Sequence, residues 1–366
     1  MLNGTPSSSN SDLIALLAVE CRSTSQALTI VCSVLYTLMR GSSSSTDTAF
    51  SRAFSTNLVF SMPLHIQSPL LASPALSKAA GRNIWLKMDA LQPSGSFKIR
   101  GIGAACEYHS SAGKTRFVSS SGGNAGIAVA YAGNRLAIPV SVFVPETTTE
   151  IAKALIRQHG ADVIVSGASW QEANDIAMST VDEQTAFIHP FDDPLLWAGH
   201  ASLIDEVVAS GLAFDAVVVS VGGGGLMSGI AEGLSRNNLA NVPTIAVETD
   251  GAASLALSLE AGKRIELPAI TSIATSLGAK MISRHAFALA QSRLFESVVV
   301  TDQDALQACM HFIDDHRVLV EPACGAALAT AYTGNLALEP FENVLVVVCG
   351  GATASLSQLK QWQSTI

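Results

Sequence analysis

Charge is scarce in this chain. Asp, Glu, Lys and Arg make up 14% of its 366 residues, well under the ~25% of an average soluble protein. So few charges leave much surface to bury, as in a sheet covered on both faces or at an oligomer interface. Basic blocks are missing as well, and the net charge is -9. That balance argues against nucleic acid or an anionic membrane as partner. The six cysteines lack metal-ligand spacing and secretory context, and read as reduced intracellular thiols. The apolar run "ALTIVCSVLYTLM", 13 residues long, is too short to span a bilayer.

That run sits in residues 1–61, whose surroundings ("NGTPSSSNSD", "GSSSSTDTAFS") are low-complexity loop text. A transit peptide is Arg-rich and poor in acid, yet Arg22, Arg40 and Arg52 are balanced by Asp12, Glu20 and Asp47. The expectation is a non-functional extension before a start at Met62, in a cytoplasmic protein. A cleaved mitochondrial leader is the alternative.

From Asn83 onward, short β-branched runs alternate with Ala-rich segments of helical period. The runs are "VSVFVP", "DVIVSG", "AVVVSVGGGG", "TIAVET", "SVVVTD" and "VLVVVCGG". The helical text includes "NAGIAVAYAGNRLA", "TTEIAKALIRQHG" and "ALQACMHFIDDH". Alternation of this kind predicts an α/β fold whose parallel strands are apolar on both faces. Ligands of such sheets sit beyond the carboxyl ends of the strands. The loops there carry the chemistry.

Four consecutive glycines, Gly222, Gly223, Gly224 and Gly225, join a strand to a helix, and their amides would cradle a phosphate. A tight turn is the plainer explanation. A dinucleotide site also competes, since Gly223, Gly225 and Gly229 are loosely spaced for one and Glu248 ends the next strand. In "SSSGGNAG", Ser121 and the amides of Gly122, Gly123, Asn124 and Ala125 could grip a carboxylate, or Asn and Ser could simply cap a helix. The third loop, "LQPSGSFKIRG", places Lys98 between Phe97 and Ile99 at a helix start. Desolvation and the positive end of a helix both lower an amine pKa, which suits a nucleophile. A phosphate site, a carboxylate site and a reactive lysine together describe pyridoxal 5'-phosphate holding an amino acid.

"SGSFKIRG", "SSGGNAG", "SVGGGGL", "VEPACGAAL" and "CGGA", in this order, resemble the fold type II pyridoxal-phosphate enzymes. "PFDDPLLWAGHAS" is similar to the L-serine/L-threonine dehydratases among them. The resemblance runs from about Pro63 to Trp362. It implies two open, twisted, mostly parallel sheets covered by helices, the tryptophan synthase beta-like fold. A large domain would comprise 62–95 plus 192–366, and a small domain 96–191. Lys98 would be the Schiff-base lysine and take the Cα proton, with Phe97 against the pyridine ring. Asn124 would meet the phenolic oxygen, Ser121 and its loop the substrate carboxylate, and Gly222–Gly225 with Leu226 the phosphate. Cys349 would approach the ring nitrogen, where a neutral thiol favours elimination over transamination. A potassium ion is implied at the carbonyls of Gly222, Ala252, Leu277 and Ala279, with Glu248 and Ser254. The implied reaction is β-elimination from serine, and from threonine, by a homodimer. A β-replacement synthase, a binding protein without turnover and a nicotinamide-dependent oxidoreductase are the other readings. Cys324 is expected to be a small buried hydrophobe.

Overall fold

Valine and isoleucine are stiff at χ1 and pack well on a pleated surface, so the β-branched runs become strands. A computed structural model describes residues 62–292 and 294–366; the expected extension, 1–61, lies outside the described residues. One sheet is built from β1 (Leu70–Ala72), β2 (Asn83–Lys87), β7 (Ala216–Ser220), β8 (Thr244–Thr249), β9 (Phe295–Val300) and β10 (Asn343–Val347). Its order is β1-β2-β10-β7-β8-β9. Only the β1–β2 pair in it is antiparallel. The second sheet has β3 (Arg116–Ser119), β4 (Val140–Val144), β5 (Asp162–Val165) and β6 (Thr185–Phe187), ordered β5-β4-β3-β6 and parallel throughout.

The helices before β7 are α1 (Pro74–Ala80), α2 (Lys98–Ser111), α3 (Asn124–Leu136), α4 (Glu150–Gln158), α5 (Trp170–Ser179), α6 (Pro194–His200) and α7 (Ser202–Ala209). After it come α8 (Gly225–Arg236), α9 (Ser254–Glu260), α10 (Arg284–Ser292), α11 (Asp302–His316), α12 (Pro322–Tyr332) and α13 (Leu356–Gln363). The six quoted strand runs fall on β4, β5, β7, β8, β9 and β10, and the three helical segments on α3, α4 and α11. Residues 63–366 form one compact unit. Within it, the strands of the four-stranded sheet fall inside 96–191, and those of the six-stranded sheet inside 62–95 plus 192–366.

The expectation that the strands are apolar on both faces holds in the middle of the sheets and fails at their edges. Every residue of β7 and β8 is buried. By contrast, Ile164 and Val165 of β5 and Val299 of β9 are exposed. Both strands have a neighbour on one side only, so fewer elements cover them. α12 is apolar all round, as a buried helix is. Its small residues let α11 come close: a Cβ at Gly325 would stand 2.6 Å from Cys309 Sγ.

Candidate active site

Lys98 is the first residue of α2, with Phe97 at the N-cap position. The loop before it is pinned to the end of β10: Phe97 N donates to the Cys349 carbonyl at 2.8 Å, and Ser96 bridges Gly350. Lys98 Nζ donates to the Pro190 carbonyl at 2.5 Å and lies 5.1 Å from the centroid of the Phe97 ring. Burial brings its pKa down from 10.5 to about 8, against the opposing influence of Cys349 and Glu321. The residue is only partly buried. Its amine is desolvated.

Cys349 follows β10 and is buried, as are Cys324 and Cys309. The hydrogen bond with Cys324, followed by burial, pushes the Cys349 thiol well above its usual pKa. Cys324 is buried as expected but is more than packing, because it holds the Cys349 thiol. Glu321 stands one residue before α12. Its Oε1 accepts from Asn124 Nδ2 at 2.7 Å and its Oε2 from the Thr353 hydroxyl at 2.7 Å. Burial raises its pKa, while these donors, Ser276 and Lys98 act the other way. Lys98, Cys349, Asn124 and Glu321 thus share one neighbourhood.

The glycine loop opens α8, whose first turn holds no acidic residue. Amides at a helix start have no intrahelical acceptor and attract anions. Gly224 has φ +92, a conformation that side chains rarely adopt. A Cβ on Gly223 would strike the Phe191 ring, and one on Gly225 would lie 2.6 Å from the Phe191 carbonyl. Phe191 directly follows Pro190, the acceptor for Lys98, so one short segment touches both the lysine and the glycine loop. Its backbone is fixed by His189 Nδ1, which accepts the amides of Phe191 and Asp192 at 3.2 and 2.8 Å.

Ser121, Gly122 and Gly123 lead into α3, which Asn124 and Ala125 begin. Ser121 Oγ accepts from the Gly123 amide at 3.4 Å; of this loop, Asn124 is the residue bonded to Glu321. The proposed cation ligands are partly gathered. Gly222 packs on Leu277, where a Cβ would be 3.2 Å from the carbonyl oxygen, and the Leu277 carbonyl already accepts from Ala279 N at 2.7 Å. Both Glu248 oxygens accept amides at the head of α9, from Leu255 and Ala256, each at 2.8 Å. Glu248 therefore caps a helix, a role the sequence reading did not assign. Ser254 Oγ is buried without a partner, an orphan that a cation would satisfy. Ala252 is buried nearby in sequence. Among the described residues no cluster of three His, Cys, Asp or Glu could hold a metal.

The family profile of pyridoxal-phosphate dependent enzymes matches residues 62–350. The chain belongs to that family. It is 44% identical over 310 residues to the human L-serine dehydratase/L-threonine deaminase, covering 81% of this chain and 94% of that one. It is 40% identical over 343 residues to the L-serine dehydratase of Dictyostelium discoideum, covering 88% and 97%. The solved L-serine ammonia-lyase of Rhizomucor miehei superposes with a TM-score of 0.78 at 34% identity, over 83% of this chain and 99% of that one. Fold type II architecture follows from these likenesses.

The residues present fit the family's cofactor. The glycine loop offers amides for a phosphate, Lys98 offers an amine of lowered pKa, and Asn124 Oδ1 is a buried acceptor without a partner. Four contributors escaped the sequence reading. Glu321 is the acid in the otherwise apolar "VEPACGAAL". His200 is fully buried against Phe97, with ring centroids 5.0 Å apart, and accepts from Gly101 N at 3.2 Å. Burial, followed by the charges of Lys98 and Arg100, keeps His200 neutral. Pro190 and Phe191 were within a quoted segment, but nothing in their residue types announced a backbone role.

Proposed function

We propose that this chain is a lyase that dehydrates L-serine to pyruvate and ammonia, and L-threonine to 2-oxobutanoate and ammonia. The observation that carries the reading is the desolvated Lys98 amine beside a neutral thiol, in a chain whose relatives bear dehydratase and deaminase names. Pyridoxal phosphate, when bound, supplies an electron sink that weakens the Cα–H bond of an amino acid. Lys98 would hold it covalently and, once displaced by substrate, carry the Cα proton. An amine with a pKa of about 8 is a competent base near neutral pH. The amides of Gly222–Gly225 and Leu226 would hold the phosphate, and Ser121 with its loop the substrate carboxylate. Phe97 would support the ring and Asn124 would hydrogen-bond to it.

Cys349 would stand at the ring nitrogen as a neutral partner, which limits delocalisation and favours loss of the β-hydroxyl. Potassium at the carbonyls of Gly222, Ala252, Leu277 and Ala279, with Glu248 and Ser254, belongs to the same reading, supported by the unpartnered Ser254 hydroxyl. So does a homodimer, for which the low charge content and exposed apolar edge residues speak. Incubation with L-serine should yield pyruvate. Lys98→Ala should abolish turnover and the visible band of lysine-bound cofactor, with the melting temperature kept within a few degrees. Normal pyruvate formation by that variant would overturn the assignment of Lys98.

A further inference from the structure

Pro190 has no N–H of its own, so its neighbours must aim its carbonyl. The segment that carries it is tied at both ends. Ile188 N donates to the Val118 carbonyl at 2.8 Å, and the Ile188 carbonyl accepts from Ser119 Oγ at 3.1 Å. At the far end Asp193 Oδ1 accepts from Leu195 N at 2.8 Å. Between these ties the Pro190 carbonyl takes the Lys98 amine, and the Phe191 carbonyl takes Trp197 Nε1 at 3.0 Å. One side chain closes the turn itself. His189 Nδ1 accepts the amides of both Phe191 and Asp192, much as an Asn side chain closes an Asx-turn. An imidazole nitrogen accepts only while it carries no proton, so His189 is neutral here with its hydrogen on Nε2. A second proton would set an N–H against two N–H donors. The ring lies edge-on to Phe187 and Phe191, with centroids 6.3 and 4.8 Å away. The charged groups that face it are Asp192, Lys98 and Asp193. Burial lowers its pKa from 6.5; the two carboxylates pull it up and Lys98 pulls it down.

We propose that His189 is a positioning residue for Lys98: its neutral imidazole closes the turn that presents the Pro190 carbonyl to the lysine amine, and a proton on Nδ1 opens that turn. A neutral amine that gives one hydrogen to a carbonyl keeps its lone pair for a proton elsewhere. The carbonyl is therefore a perch for Lys98 whenever the lysine is free, which is when it must act as a base. Opening the turn withdraws the perch and loosens Phe191, whose ring and carbonyl lie against Gly223 and Gly225. His189 acts through the backbone it holds. The inference rests on the reading of Lys98 given above.

The full chain with bound pyridoxal phosphate is assayed with L-serine from about pH 5 to about pH 9, and its imidazole nitrogens are followed by NMR over the same range. The His189 signals, identified by their loss in His189→Asn, should show a bare Nδ1 and a protonated Nε2 at about pH 7.5. His189→Ala should lower kcat about tenfold, the scale of the lost hydrogen bonds, with KM within about twofold. Asn carries Oδ1 as many bonds from Cβ as Nδ1 is, and that oxygen accepts the same amides without taking a proton. His189→Asn should therefore restore kcat to within about twofold of the parent at about pH 8. It should also lack the added fall in kcat that the parent shows below pH 6.5 as Nδ1 gains its proton. A proton found on Nδ1 at about pH 7.5, parental kcat in His189→Ala, or equal acid-side profiles in the parent and His189→Asn would each overturn the proposal. Should His189→Ala not fold, the NMR signals and the His189→Asn profile decide by the same criteria. Those outcomes in an active parent touch this inference alone. A parent chain that makes no pyruvate overturns the functional reading itself, and this inference with it.

Discussion

The Cys349 thiol is kept neutral by its surroundings. Its hydrogen bond with Cys324 and its burial both oppose the thiolate. The backbone hydrogen bond from Phe97 N to the Cys349 carbonyl also ties Cys349 to the residue before Lys98. If this thiol stands at the ring nitrogen, its protonation state governs the fate of the substrate's electrons. Cys349→Ser keeps a small neutral group, so elimination of serine should survive with a modest change in kcat. Cys349→Asp places a carboxylate there, which favours a protonated ring nitrogen. Elimination should then slow by about tenfold or more, the effect of one pKa unit of differential stabilisation, and a long-wavelength absorbing species should accumulate. A Cys349→Asp variant that turns over serine at the parental rate, with an unchanged spectrum, places Cys349 elsewhere.

At the scale of elements, α2 is anchored by its third residue. Arg100 is fully buried and forks onto two carboxylates: Asp89 at 2.7 and 2.9 Å, and Glu206 at 2.6 and 2.9 Å. Lys87 of β2 also pairs with Glu206 and donates to the Ser68 carbonyl at 2.6 Å. Two cations thus balance two anions where α2, β2 and α7 meet. Such a network adds little net stability when whole but leaves stranded charges when broken. Arg100→Met should lower the unfolding free energy by about 3–5 kcal/mol in urea titrations. Arg100→Lys should recover only part of this, because one ammonium cannot serve two forks. A loss under about 1 kcal/mol, as for a surface pair, would show that the network does not hold the helix. Since Lys98 lies two residues upstream, the same anchor holds the start of the helix that carries it.

For the molecule as a whole, the buried Glu248 makes stability depend on pH. Burial lifts its pKa from 4.5 to about 7, despite the amides of Leu255 and Ala256. A folded-state value above the unfolded one means that stability is present below pH 4.5 and is lost as pH rises through about 7. A cation beside the carboxylate would favour its charged form and offset that loss. Potassium should therefore raise the melting temperature more at about pH 8 than at about pH 5.5, with choline as the control. An equal rise at both values would mean that Glu248 does not face the ion. The sequence by itself determined the alternation of strands and helices, the three post-strand loops and the lysine among apolar neighbours. Each of these is written locally, in periodicity, glycine runs and flanking residues. It could not show that Glu321 meets Asn124 across 197 positions, that Cys324 holds Cys349, or that the Pro190 carbonyl receives Lys98. Nor could it show that Glu248 caps α9 or that β5 and β9 are edges. Those facts depend on strand order and on which helix starts converge, and long-range packing alone decides them.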